Sequence, residues 1–207
     1  MANPDLAFLL APGAGAPTSH PRMQSFRGLL EALGTVVPFD YAYALAGRKS
    51  PDRLPKLIET HRAALLALRA RHAGPIVLVG KSMGGRVGCH VAAVEPVAAV
   101  ICLGYPLCGA GDPAKLRDEA LLALRTPTLF VQGTRDKLCP LGLLETVRAR
   151  MTARNALHAV EGGDHSLLVA KSALKAQGVG QGRVDGGIRD GIADFLASHG
   201  LGTRLSG

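Results

Sequence analysis

The sequence predicts an α/β protein built on a mostly parallel sheet. Short, near-continuous apolar runs alternate with longer segments of helical periodicity. The runs lack the in–out alternation of half-exposed strands, so they read as strands covered on both faces. About six βα units follow one another, with no repeat and no linker, so residues 1–207 are expected to form one domain.

In chain order, the strands are expected at Leu6 to Leu10, Thr35 to Phe39, Ile76 to Val79, Ala98 to Leu103, Thr128 to Val131 and Ala156 to Val160. Pro38 cannot donate to a ladder, which puts the second strand at a sheet edge. The clearest helix runs from Asp52 to His72. There Leu54, Leu57, Ile58, Leu65 and Leu68 share a stripe, and Pro55 falls in the tolerated first turn. Further helices are expected at Met23 to Leu33, Gly84 to Val94, Leu141 to Arg150 and Ile188 to Ser198. Residues 176–187 hold five glycines and read as a mobile surface loop.

Composition narrows the function. The 207 residues are 47% hydrophobic and 19% charged, an ordinary globular balance that needs no metal or disulfide staple. The formal charge of +8 raises nucleic acid as a partner. Against it stand five Phe, three Tyr and no Trp, little material for stacking, and basic residues scattered over expected helix surfaces. The longest apolar run, Val97 to Leu103, falls far short of the ~20 residues of a spanning helix. No basic residue precedes Arg22, so a secretory leader is not expected. Four cysteines without a C-x-x-C pair read as reduced thiols in a cytoplasm.

The sharpest motif is Gly80-Lys81-Ser82-Met83-Gly84, between a buried strand and a helix. G-x-S-x-G in that context is a nucleophile elbow, whose strained turn exposes the serine and whose glycines avoid clashes. Gly80-Lys81-Ser82 also looks like the end of a phosphate-binding loop. The required first glycine would fall at position 75, which is Pro, and a strand occupies the place of the cradle, so that reading is set aside. Elbow hydrolases carry Ser, then an acid, then His along the chain. Asp136 follows the fifth strand and His165 the sixth, and parallel strands bring their carboxyl ends to one side. Ser82, Asp136 and His165 are therefore the candidate catalytic residues. Asp164, adjacent to His165, reads as a turn or capping residue.

The Gly-rich loop after the first strand, Pro12 to Pro17, offers a backbone donor. Paired with Met83 N–H it makes a candidate oxyanion hole, with Ala14 the first choice and Gly15 the second. Tyr105, Pro106, Leu107 and Leu138 follow strand ends and are candidate pocket lining. Cys139 reads as a small buried apolar residue.

Gly80 to Arg86, Leu103 to Leu107, Val131 to Asp136 and Gly163 to Ser166 resemble the small α/β-hydrolases related to dienelactone hydrolase. More narrowly they resemble the testis-expressed hydrolase-like proteins and a scaffold subunit of the nonspecific-lethal acetyltransferase complex. The similarity runs from about Leu6 to Leu196. It implies a minimal α/β-hydrolase fold of about six parallel strands in the order 2-1-3-4-5-6, helices on both faces and no cap domain. It implies Ser82 as nucleophile where dienelactone hydrolases carry Cys, Asp136 as acid and His165 as base. The expected activity is hydrolysis of a small carboxylic ester or thioester, without cofactor or metal. The alternative is a catalytically weak or inactive hydrolase-fold interaction module.

Overall fold

The computed structural model describes residues 3–109 and 112–202. Of the expected span 1–207, positions 1–2, 110–111 and 203–207 lie outside the described residues. The elements run β1 (Asn3–Ala11), α1 (Pro21–Glu31), β2 (Gly34–Pro38), α2 (Ala42–Leu45), α3 (Leu54–Arg69), β3 (Ile76–Lys81) and α4 (Met83–Ala92). They continue β4 (Ala99–Leu103), α5 (Glu119–Ala123), β5 (Thr128–Gly133), α6 (Leu141–Arg150), β6 (Asn155–Val160), α7 (Lys171–Ala176) and α8 (Gln181–Ser198).

The sheet has six strands in the order β2-β1-β3-β4-β5-β6, every pairing parallel, as expected. Side-chain alternation along the buried strands splits the core in two. Leu6, Phe8 and Leu10 of β1, with Val77 and Val79 of β3, pack with α1 (Met23, Phe26, Leu30) and α8 (Ile188, Ile192, Phe195). Leu9, Leu78, Val100 and Phe130 point the other way, onto Leu65 and Leu68 of α3, Val91 of α4 and Val147 of α6. Each fully buried Leu or Phe contributes roughly 1.5–3 kcal/mol, so both faces hold the sheet between helices.

The expected helices form with small boundary differences, and three short ones, α2, α5 and α7, were not anticipated. On α3 the buried stripe is Leu57, His61, Leu65 and Leu68. The histidine completes the helical spacing that the apolar residues left open.

One expectation is corrected. Residues 176–187 are a loop only over 177–180, because α7 ends at Ala176 and α8 begins at Gln181. Glycines at 182, 186 and 187 weaken intrinsic helicity, but tertiary anchoring overrides propensity. Gln181 accepts from Val169 N–H at 3.1 Å and donates to Leu167 carbonyl at 3.0 Å, and Asp185 receives Arg22 at 2.8 Å.

The strand order reverses between β1 and β3, which pair in register as far as Ala11 with Gly80. The crevice beyond their carboxyl ends is where an open parallel sheet binds ligands. The loop after β1 and Ser82 after β3 both emerge there.

Candidate active site

Ser82 sits on the turn from β3 into α4 at φ 50°, ψ −115°, left-handed backbone that L-residues avoid. The flanking glycines make the turn sterically possible. A Cβ on Gly80 would lie 2.1 Å from Gly85 N, and one on Gly84 would lie 2.6 Å from the carbonyl oxygens of Ala11 and Pro12. G-x-S-x-G is here a packing requirement of strand, turn and helix.

Three strand ends bring the expected residues together. His165 Nε2 lies 2.8 Å from Ser82 Oγ, and His165 Nδ1 lies 2.7 Å from Asp136 Oδ2. Asp136 is 4% exposed and accepts from Leu138 N–H at 2.8 Å and Gln132 Nε2 at 2.6 Å. Burial pushes its carboxyl up, but the His165 contact and the Leu138 and Gln132 donors outweigh it and hold the group below its usual range. Asp164 does not approach the imidazole. Its Oδ1 accepts from Ser166 N–H at 2.7 Å and Leu168 N–H at 3.0 Å, closing the turn that carries His165.

Other residues were not anticipated. Gln132, fully buried, accepts from Tyr105 N–H at 2.9 Å while donating to Asp136. Its signal was a polar residue within an apolar strand. Arg22, from the first turn of α1, donates to Ser166 carbonyl at 2.9 Å, Leu167 carbonyl at 3.1 Å and Asp185 at 2.8 Å. Leu167 itself has φ 60°. Arg22, Gln181 and Asp185 therefore clamp the backbone directly after His165.

The loop after β1 is pinned by Thr18, whose N–H and hydroxyl donate to Asp40 at 2.8 Å, and by Tyr43, whose hydroxyl donates to Ala14 carbonyl at 3.2 Å. Two cavities meet at Ser82, each of about 290 Å³. One is lined by Gly13, Ala14, Gly15, Lys81 and His165 among others. The second is lined by Ala14, Leu54, Leu57, Met83, Pro106 and Leu138, with Arg86 and Arg117. Ala14 thus borders both, and Gly15 the first. Of the four candidate lining residues, Pro106 and Leu138 reach a cavity. Tyr105 and Leu107 do not; both are fully buried in the core behind it, because the chain turns inward after Gly104 (φ 68°). Tyr105 hydroxyl donates to Arg117 carbonyl at 2.7 Å. Cys139 is buried, and burial pushes its thiol up to about 12.

A six-stranded parallel sheet with a strained strand–turn–helix serine at its switch point defines an α/β-hydrolase type of protein. The chain belongs to the alpha/beta hydrolase domain family, whose model matches residues 4–181. Among solved structures it is similar to an α/β serine hydrolase without lid from Xanthomonas campestris (TM-score 0.72, 17% identity, 96% of this chain and 84% of that one). It is also similar to a dienelactone hydrolase from Anabaena variabilis (0.67, 19%, 95% and 87%). An α/β serine hydrolase homologue from Coxiella burnetii matches at 0.67, 19%, 80% and 79%. Family membership, with serine hydrolases among the structural neighbours, supports a hydrolase. No helix among the described residues is long and apolar enough to cross a membrane.

Proposed function

We propose that the protein is a serine hydrolase acting on a small carboxylic ester or thioester. The observation that carries this reading is the continuous chain from Ser82 Oγ through His165 to Asp136, at 2.8 and 2.7 Å, on a serine held at φ 50°. Ser82 Oγ attacks the carbonyl carbon while His165 Nε2 takes its proton. Asp136 fixes the imidazole and stabilises its charged form. The N–H of Met83, an orphan donor of the first turn of α4, and an N–H of Ala14 or Gly15 hold the oxyanion. One such donor is worth about 2.7–4 kcal/mol. Collapse of the tetrahedral intermediate expels the alcohol or thiol, which leaves with the proton from His165. Water, deprotonated by His165, then cleaves the acyl-enzyme. No step requires a metal or cofactor. The four unpaired thiols fit a reducing cytoplasm.

The expected likeness to a scaffold subunit suggests an interaction module instead; the intact hydrogen-bonded chain favours the enzyme. The test is reaction with a serine-directed fluorophosphonate beside hydrolysis of short aryl esters. Wild type is labelled and active, and Ser82→Ala is neither. Equal labelling of the variant overturns the assignment.

A further inference from the structure

Lys81 precedes Ser82 at the end of β3 and is only 8% exposed. Among the described residues its ammonium makes no hydrogen bond and no ion pair. The fully buried side-chain nitrogens and oxygens without a partner among those residues are Asp52 Oδ2 and His61 Nε2, so the Lys81 ammonium instead opens onto the cavity it lines, where a ligand can supply the partner that a poorly solvated cation needs. The nearby carboxylates act on it through space, without a bond. Asp136 is held by His165, Gln132 and Leu138, and Asp164 by Ser166 and Leu168.

The position of the ammonium is informative. A Cβ on Gly104 would lie 3.4 Å from Lys81 Nζ and 3.6 Å from His165 Nδ1, so ammonium and imidazole flank the same glycine. Lys81, Ser82 and His165 line one cavity. That cavity belongs to the departing half of the substrate, because the leaving atom must receive its proton from His165. The cleft of Leu54, Leu57, Met83, Pro106 and Leu138, which His165 does not line, is left for the acyl chain.

We propose that Lys81 is a specificity-determining residue whose ammonium binds a carboxylate on the leaving alcohol or thiol of the substrate. This rests on the hydrolase reading and extends it to a substrate class: esters or thioesters whose leaving group is an anion. The preference carries a pH signature. Burial lowers the Lys81 ammonium to about 8, with Asp136 and Asp164 raising it and Arg22 lowering it. Selection for the anion is present below that value and lost as pH rises through it. His20 and His165 also border the cavity.

The test compares two acetate esters differing only in leaving-group charge, those of 4-hydroxybenzoate and 4-hydroxybenzamide. The readout is the ratio of their kcat/KM values in wild type, Lys81→Met and Lys81→Gln. The wild-type ratio is expected to exceed that of either variant about tenfold, the worth of one charge-assisted hydrogen bond. It should fall toward the variants' ratio between pH 7 and 9. Equal ratios in all three proteins, with both esters cleaved, overturn the subsite and leave the hydrolase reading standing. If neither ester is cleaved and Ser82 is not labelled, the hydrolase reading falls. Calorimetry with 4-acetoxybenzoate on Ser82→Ala then decides the subsite. Binding that Lys81→Met abolishes in that background supports it, and binding that is unaffected or never seen overturns it.

Discussion

Replacing Arg22 by Met tests whether the backbone after His165 is held by the clamp described above. The guanidinium is 10% exposed and is fully engaged: two carbonyls, the Asp185 carboxylate, and the face of Phe26 at 4.2 Å. Met fills similar volume and removes every donor. Ser166 carbonyl loses its side-chain donor, Leu167 carbonyl keeps only Gln181, and Asp185, 14% exposed, keeps one bond from Gln181 at 2.9 Å. Breaking a largely buried charge pair from one side costs about 3–5 kcal/mol, and the surviving Gln181 bond argues for the lower end. A displacement of the imidazole of about 1 Å costs on the order of 10²-fold in rate. Arg22→Lys keeps the charge on Asp185 but cannot serve both carbonyls, so it falls between. The assay is the rate of fluorophosphonate labelling of Ser82, measured well below the unfolding transition, beside urea unfolding of the same variants. Slow labelling of a folded Arg22→Met protein is expected. A variant that loses the stability but labels at the wild-type rate refutes positioning and leaves Arg22 a packing residue.

Gly80→Ala places a Cβ against backbone atoms of Gly84 and Gly85 that cannot move independently, so a loss above ~3 kcal/mol or insoluble expression is expected, read by chemical denaturation. His61 is fully buried, its Nδ1 3.1 Å from Tyr41 hydroxyl, and burial lowers its pKa to about 3. As pH falls below the ordinary histidine value, the unfolded chain gains a proton that the folded one refuses. Stability should therefore drop by about 2–3 kcal/mol between pH 7 and 4.5, and His61→Gln should lack that increment in urea titrations. All four cysteines are buried and unpaired, so a disulfide thiol reagent should find none in native protein and four in denaturant.

The fold was legible because each buried strand is apolar on both faces, so β1, β3, β4 and β5 announce a covered parallel sheet without any tertiary information. Pro38 marked the edge by its missing N–H, and β2 is the edge. Ser82, Asp136 and His165 were legible for the same topological reason: parallel strands deliver their carboxyl ends to one side. Tyr105 and Leu107 were misplaced because a position after a strand end does not say whether the chain turns outward or inward, and Gly104 turns it inward. Residues 181–187 were misread because glycine content reports helix propensity, whereas Gln181 and Asp185 are fastened from outside by the His165 loop and Arg22.

Arg22, Gln132 and Gln181 are single polar residues tied to partners far along the chain, and no local period or motif records such a pairing. Arg22 and Lys81 also bear on the overall charge of +8. As a total it suggests a polyanion, yet most of it is dispersed on helix surfaces, while two buried cations stand at the serine. Arg22 is saturated by two carbonyls and Asp185, whereas Lys81 has no bonded partner among the described residues. Between two cations in one cavity, the one without a bonded partner is the stronger pointer to a ligand, since Asp136 and Asp164 offset its desolvation only in part.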